Sequence, residues 1–244
     1  MTGPGDRRGL AARRSAATQV AVSSAALLGD GPIELDDDVL HHLERVLRLR
    51  DGEVVSVTDG CGGWRLAAVR RSPSALAVVP TTPVVIEQEA RPLVLAAAMP
   101  KGDRLDWMVQ KASELGARRI VLLHAERSVV RWKPARVEHH LQRLQRVADE
   151  ATRQSRRVWA TVVSGPQPAS DVLPGSVVAE PGGRPLSAAD HRLAVGPEGG
   201  WSDAELAAAG DRVDLGGAVL RTETAAIAAL AIVGALDDRA DGRS

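Results

Sequence analysis

The chain has 244 residues, 44% of them hydrophobic, and its 31 basic and 31 acidic side chains cancel at pH 7. That length and apolar content allow one large domain or two small ones and exclude a chain disordered throughout. A single cysteine, Cys61, excludes an intrachain disulfide framework and a cysteine-rich zinc site, and the lack of Phe and Tyr removes the usual stacking platforms for single-stranded RNA, apart from five tryptophans.

Residues 1 to about 17 are rich in Gly, Arg, Ala and Ser and read as a disordered extension. Arg13-Arg14 precedes a small-residue run that Thr18, Gln19, Ser23 and Ser24 break, so it makes a poor export signal. Residues 18–80 read as a small β-barrel. Val54, Val55 and Val57 lead into Asp59-Gly60-Cys61-Gly62-Gly63, and Trp64 to Val69 follow, which predicts a hairpin. One helix, Asp38 to Leu49, interrupts the strands and carries His42, Arg45 and Leu49 on one face. Pro80-Thr81-Thr82-Pro83 is the expected linker.

From Arg91 onward strands and helices alternate. Leu93 to Ala98 is an apolar run, and Leu105, Met108, Val109 and Ala112 have helical spacing closed by Gly116. Ile120 to Leu123 is the next strand, and Val137, Leu141, Leu144 and Ala148 repeat at helical spacing. Thr161 to Val163, Val177 to Ala179, Leu193 to Val195 and Arg212 to Leu215 read as strands, and an alanine-rich helix starts at about Ala225. This alternation predicts an α/β layer with a mostly parallel sheet and ligand sites at strand C-termini. The longest apolar run, Ala225 to Leu236, is too short to span a bilayer. No membrane partner is expected, and a cytoplasmic location is. The histidine pairs His41-His42 and His139-His140 point their members apart, so no metal is expected.

Two turns stand out. Gly196-Pro197-Glu198-Gly199-Gly200 follows an apolar strand and precedes Ser202-Asp203-Ala204-Glu205, a capping-box pattern. Leu220-Arg221-Thr222-Glu223-Thr224-Ala225 lies some twenty residues on. Neither fits a dinucleotide or phosphate-loop fingerprint. Taken alone, the first is a tight turn before a capped helix, and Thr222 is a helix N-cap with Glu223 near the dipole's positive end. Taken together, they predict a backbone-lined pocket, because glycine lets the main chain approach a ligand. Glu198 and Glu223 either brace the loops against Arg221 or backbone amides, or one of them accepts a proton. Gln154-Ser155-Arg156-Arg157 is either a solvated helix end or a clamp for anions and carbonyls. Trp107, Trp132 and Trp201 read as core or interface residues.

These two turns resemble the signature of the SPOUT methyltransferases, and within them the bacterial small-subunit ribosomal RNA uracil-N3 methyltransferase family. Lys101 to Trp107, Gln110 to Gly116, Glu126-Arg127-Ser128, and His41 to Leu43 with Val46 to Arg48 agree in order. The sequence departs from the family pattern at Arg153 and Ala160, and its first strand lacks an Arg before aromatics. The resemblance covers about residue 33 to the C-terminus. It implies a PUA-like RNA-binding barrel (18–80) followed by a trefoil-knotted SPOUT domain (84–244) that works as a homodimer. The implied activity is S-adenosylmethionine-dependent methylation of N3 of a specific uridine in 16S rRNA, on the rRNA or the small subunit. Rival readings are a SPOUT ribose 2′-O methyltransferase and a non-enzymatic RNA-binding protein. The implied cofactor residues are Glu180, Gly196, Pro197, Glu198, Gly199, Gly200, Leu215, Gly216, Leu220, Arg221, Thr222, Thr224 and Ala225. The implied RNA contacts are His42, Arg45, Arg48, Gln154, Arg156 and Arg157. Catalysis is placed on Arg157, Arg221, Glu198 and Glu223.

Overall fold

The computed structural model describes residues 7–72, 75–89 and 91–240. The chain divides into two units, residues 1–90 with 152–160 and residues 91–151 with 161–244. The disordered extension expected for residues 1–17 is corrected in part. Residues 1–6 lie outside the described residues, but Arg7–Ser15 form a helix, α1. The reason is Arg13, which is buried. Its guanidinium stacks on the Trp64 ring at 4.6 Å, Nε donates to the Arg156 carbonyl at 3.2 Å, and Nη1 pairs with Glu87. Arginine suits such a place because one planar fork serves a ring face and two oxygens together.

The rest of the first unit runs through β1 (Gln19–Ala21), α2 (Ser24–Leu28), α3 (Asp37–His41), β2 (Val54–Thr58), β3 (Gly63–Arg71), β4 (Leu76–Pro80) and β5 (Val85–Ile86). Hydrogen bonding orders the sheet β1-β2-β3-β4, with β5 on the start of β3; β1 and β2 are parallel and the other pairs antiparallel. The predicted hairpin is β2–β3. Asp59 Oδ1 shapes its turn by accepting the N–H groups of Cys61 and Gly63. Val20, Leu27, Leu43, Val55, Val57, Val69 and Val78 form the core.

The helix expected over Asp38 to Leu49 is two pieces. After α3 the chain widens into a π-helical turn, His42–Val46, and Arg48 takes φ 52°. This change of pitch buries both Leu43 and Leu49. The shared face of His42, Arg45 and Leu49 is therefore not formed: Leu49 is core beyond the helix, while His42 and Arg45 are exposed. The boundary expected at Pro80–Pro83 also moves. Val85 and Ile86 pair with Trp64 and Gly63. Residues 152–160 join the first unit through Gly62 N–H to Val158 O and Ala160 N–H to Gly60 O, both 2.9 Å.

The second unit holds β6 (Leu93–Ala98), α4 (Arg104–Glu114), β7 (Ala117–His124), the body of α5 (Val137–Gln154), β8 (Val162–Pro168), α6 (Ala169–Val172), β9 (Val177–Pro185), β10 (Arg192–Val195), α7 (Asp203–Ala208), β11 (Asp211–Asp214) and α8 (Thr222–Ala240). All pairs in its sheet are parallel, in the order β11-β9-β10-β6-β7-β8. Both faces are covered. Leu95 and Ala97 join the core that α4, α5 and α8 build, and Ala96 and Ala194 join the opposite core with Leu173 and Trp201. This explains the near-continuous apolar runs of the strands. In α4, Leu105, Met108, Val109 and Ala112 are all buried, and Gly116 ends the turn at φ 95°. The order of strands reverses between β6 and β10, and such a switch leaves a crevice at the strand C-termini.

Between β9 and β10, Asp190 is buried and accepts both Nη groups of Arg184 at 2.8 Å, with the Ser187 N–H at 2.7 Å and hydroxyl at 3.0 Å. The Arg184 fork holds its carboxyl at about 2, against the upward push of burial and with help from Ser187. A folded value below the unfolded 3.8 means the stabilisation is present above 3.8 and is lost as pH falls toward about 2. Asp190→Asn is expected to lower stability at neutral pH by about 1–2 kcal/mol and to flatten the fall in stability across that acid window. Urea unfolding at pH 7 and pH 3 measures both, and identical slopes for the two proteins would rule out this role for Asp190.

Candidate functional site

The irregular middle of β9 at Ala179–Pro181 and the ends of two strands, β10 running into Gly196–Trp201 and β11 at Asp214–Gly216, build a cavity of 280 Å³ in the second unit, with Ala218 to Leu220, Thr222 and Ala225 opposite. The two turns singled out in the sequence face this one space. Thr222 joins them directly, its hydroxyl donating to the Gly196 carbonyl at 2.9 Å. The N-cap role expected for Thr222 is corrected here. Arg221 takes that position, accepting the Ala225 N–H at 2.8 Å, and Thr222 is the first helical residue. Its hydroxyl is therefore free to tie one turn to the other.

The glycine turn is held from several sides. At Gly196 a Cβ would fall 2.9 Å from Trp201 Cε2 and 3.0 Å from Nε1, so the turn and the indole pack in contact. Gly200 sits at φ 70°, where a side chain is strained. Arg127 donates to the carbonyls of Gly199 at 3.3 Å and Trp201 at 2.9 Å. The capping box at Ser202 and Glu205 forms as read. Glu205 does more than cap: it is buried, and Oε1 also accepts the Glu126 N–H at 2.9 Å. The Glu126-Arg127-Ser128 stretch thus braces the glycine turn.

The wall is charged in one sense. Glu180, Glu198 and Asp214 line the cavity, and among the described residues no lysine, arginine or histidine does. The backbone N–H groups of Gly182 and Gly216 hold the Asp214 carboxyl below the usual carboxylate range. Behind this wall Arg104 sits 3.6 Å from Glu198 and 3.4 Å from Glu223. The carboxylates are therefore braced by Arg104 rather than by Arg221, whose side chain is exposed. Glu223 is nearly buried and its Oε2 has no partner among the described residues, whereas the Glu198 side chain is 46% exposed.

Of the residues implied for a cofactor, Glu180, Gly196, Pro197, Glu198, Gly200, Leu215, Gly216, Leu220, Thr222 and Ala225 line the cavity. Gly199, Arg221 and Thr224 do not: Gly199 packs toward Arg127, and Arg221 and Thr224 are exposed at the head of α8. The sequence reading missed Trp201, Asp214 and Val219 as lining residues, and the bracing roles of Arg104 and Arg127. Among the described residues no group of His, Cys, Asp and Glu is arranged to hold a metal.

The basic segment after α5 belongs to the first unit and is not a solvated helix end. Arg156 takes φ 57°, and its Nη2 donates to the carbonyls of Ala16 at 3.1 Å and Ala17 at 3.2 Å. This occupies Arg156 within the fold and counts against its expected RNA contact. The Arg157 carbonyl accepts from Gln19 Nε2 at 2.7 Å. Burial holds its guanidinium below its ordinary pKa, against the pull of Glu87 and with the repulsion of Arg13, and Nε has no partner among the described residues. Gln154 is exposed, as are His42, Arg45 and Arg48 on and after the π-helical turn.

A family model for an RNA methyltransferase domain matches residues 87–234, and one for an RNA methyltransferase PUA domain matches residues 35–79. The chain is similar to Ribosomal RNA small subunit methyltransferase E of Synechocystis sp., 34% identical over 231 residues that span 85% of this chain and 74% of that protein. Its match to the protein of the same name from Mycobacterium tuberculosis is 33% identical and spans 85% of this chain and 87% of that one. Among solved structures, the Ribosomal RNA small subunit methyltransferase E from Neisseria gonorrhoeae bound to S-adenosyl methionine superposes with a TM-score of 0.75 at 25% identity, over 90% of this chain and 97% of that chain.

The contact between Gly196 and Trp201 is testable without a ligand. Gly196→Ala is expected to push the indole aside, to cost about 1–3 kcal/mol as overpacking does, and to shift the tryptophan emission. Thermal unfolding and fluorescence report the two effects. An unchanged Tm with unchanged emission would mean that the turn has slack.

Proposed function

The chain belongs to the family of RNA methyltransferases that carry a PUA domain, and we propose that it transfers a methyl group from S-adenosylmethionine to N3 of a specific uridine in the 16S rRNA of the small ribosomal subunit. One observation carries this reading. The cavity over β9, β10 and β11 of the parallel sheet is lined by two backbone turns and three carboxylates, with no cation among the described residues. A phosphate-bearing nucleotide would meet like charge there, while a nucleoside with a positively charged sulfur meets opposite charge.

The residues fit that cofactor in chemistry as well as in charge. Main-chain groups of Gly196 to Gly200 and of Leu215 to Leu220 would hold the edge of the adenine ring, with Leu215, Val219 and Leu220 against its faces. The buried Trp201 Nε1, which has no partner among the described residues, and Gly200 at a positive φ mark a cradle that excludes larger side chains. When bound, S-adenosylmethionine supplies an electrophilic methyl group on a sulfonium.

Uracil N3 carries a proton that must leave for the nitrogen to attack, and the resulting anionic ring needs a positive neighbour. Glu198 is the better placed of the two carboxylates to take the proton, because its side chain is open to solvent and that of Glu223 is not. Arg221, exposed at the head of α8, and Arg157 are the groups proposed to face the ring oxygens, with the α8 dipole adding to the first. His42, Arg45, Arg48 and Gln154 are proposed to contact rRNA, and the PUA-like unit would anchor the substrate. The reading includes a homodimer, a trefoil knot in the second unit and a cytoplasmic place of action. No helix among the described residues is long and apolar enough to cross a membrane.

Two measurements test this. Gly200→Val places a branched side chain at φ 70° in the cradle and is expected to abolish S-adenosylmethionine binding by calorimetry with the fold retained. Undiminished affinity would refute the cofactor assignment. Arg157→Ala is expected to leave that affinity intact and to cut single-turnover methylation of small-subunit rRNA by roughly a hundredfold. Arg157→Lys should recover only part of it, since a point charge does not reproduce the guanidinium fork. Full recovery by Lys, with a loss that vanishes at low salt, would mean general phosphate attraction instead.

A further inference from the structure

A second cavity, of 350 Å³, opens in the same unit between the start of α4 and the start of α5, and nothing in the methyl-transfer reading uses it. Its walls are Pro100, Asp103, Leu105 and Asp106 on one side and Val130, Trp132, His140 and Arg143 on the other. Trp132 and His140 stack, with ring centroids 4.6 Å apart and planes inclined by 29°. Arg143 Nη1 is fixed by an ion pair to Asp106 Oδ2, and no other hydrogen bond is formed by its guanidinium among the described residues. The cavity therefore offers an aromatic ledge beside a held fork with spare N–H donors.

We propose that this cavity is a nucleobase subsite, which takes one unstacked base of the RNA substrate on the Trp132–His140 ledge and reads a ring carbonyl or ring nitrogen with Arg143. The proposal rests on the reading of the chain as an RNA methyltransferase. In a chain without Phe or Tyr, stacking falls to Trp and His. Trp64 and Trp201 are buried in their cores, whereas Trp132 stacks on His140 at the edge of this cavity. The composition of the walls decides between base and backbone. Asp106 is matched by Arg143, so Asp103 is left as the unmatched charge on the wall and would repel a phosphate, whereas a neutral ring with a polar edge satisfies both the ledge and the fork. Burial holds His140 below its usual pKa, with Arg143, His139 and Arg136 adding to the effect and Asp106 opposing it. Trp132 is expected from the sequence to be a core or interface residue, and it does pack on the core. Its ring is half-buried against the core of the second unit and lines an open space.

The test is the affinity of the full-length protein for a labelled mixed-sequence single-stranded oligoribonucleotide, with a duplex of the same length as comparator. Stacking requires an unpaired base, so the duplex separates it from attraction to phosphate. Trp132→Ala is expected to weaken single-strand binding about tenfold or more, to leave duplex binding unchanged, and to leave S-adenosylmethionine affinity unchanged. Trp132→Phe should keep most of the single-strand affinity. His140→Leu should lose part of it, and it carries the test alone if Trp132→Ala fails to fold. Equal losses on single strand and duplex, or none in either variant, overturn the proposal. A fall from dimer to monomer in the variants also overturns it, because a second copy would then cover the cavity. If wild type shows the Trp132-dependent binding but methylates no rRNA, the subsite stands and the methyl-transfer reading fails. If it methylates rRNA at full rate without Trp132, the subsite fails and that reading stands.

Discussion

A parallel sheet buried on both faces sends every connection out past the strand ends, and the cavity of this protein follows from that constraint. Strands β6 to β11 all run one way, so the main-chain groups at their C-termini collect at one edge. The cavity lies beside the point between β6 and β10 where the order reverses, over β9, β10 and β11. The crevice is kept open because its rim is made of turns. The Thr222 hydroxyl on the Gly196 carbonyl then fixes the two turns at one spacing. Helix α8 packs its alanines on the core beneath them, so the head of that helix forms a rigid floor.

Charge is arranged in layers around this crevice. The carboxylates of Glu180, Glu198 and Asp214 are on the wall, while Arg104, which pairs with Glu198, is not among the lining residues. Arg104 serves Glu198 and Glu223 together, and Arg127 is committed to two carbonyls of the glycine turn. A cation that faces backbone or carboxylate has little left to offer a phosphate. The site therefore discriminates by the sign of charge before any contact of shape. The chain's balanced total of basic and acidic residues conceals this, since the total says nothing about which sign faces which surface.

The first unit solves a different problem, that of holding a basic segment in place. Residues 152–160 come late in the chain but fold with the N-terminal strands, through backbone bonds to Gly60 and Gly62 and through Arg13 and Gln19. Arg156 is used up in this, and Arg157 keeps a buried guanidinium that lacks a partner at Nε among the described residues. An unsatisfied buried donor is costly unless something uses it. That distinction between two adjacent arginines is visible only once their partners are known.

The sequence by itself determined the elements and the turns. Leu105, Met108, Val109 and Ala112 specified α4, alternation specified the parallel layer, and Ser202 with Glu205 specified the start of α7, because each signal is local and periodic. It also pointed to the two turns whose residues line the cavity, since glycine and small polar residues at strand ends have few other uses. Only the tertiary structure decided which partners meet. It gave Thr222 to Gly196 instead of its own helix, Arg104 instead of Arg221 to the carboxylates, and Arg13 to Trp64, Glu87 and Arg156. It also broke the Asp38–Leu49 helix into a helical and a π-helical turn so that Leu49 could be buried. These pairings join residues from 26 to 143 positions apart, and no periodicity or propensity spans such distances. They are settled by which side chains are left with unmet hydrogen bonds or apolar area when the sheets close.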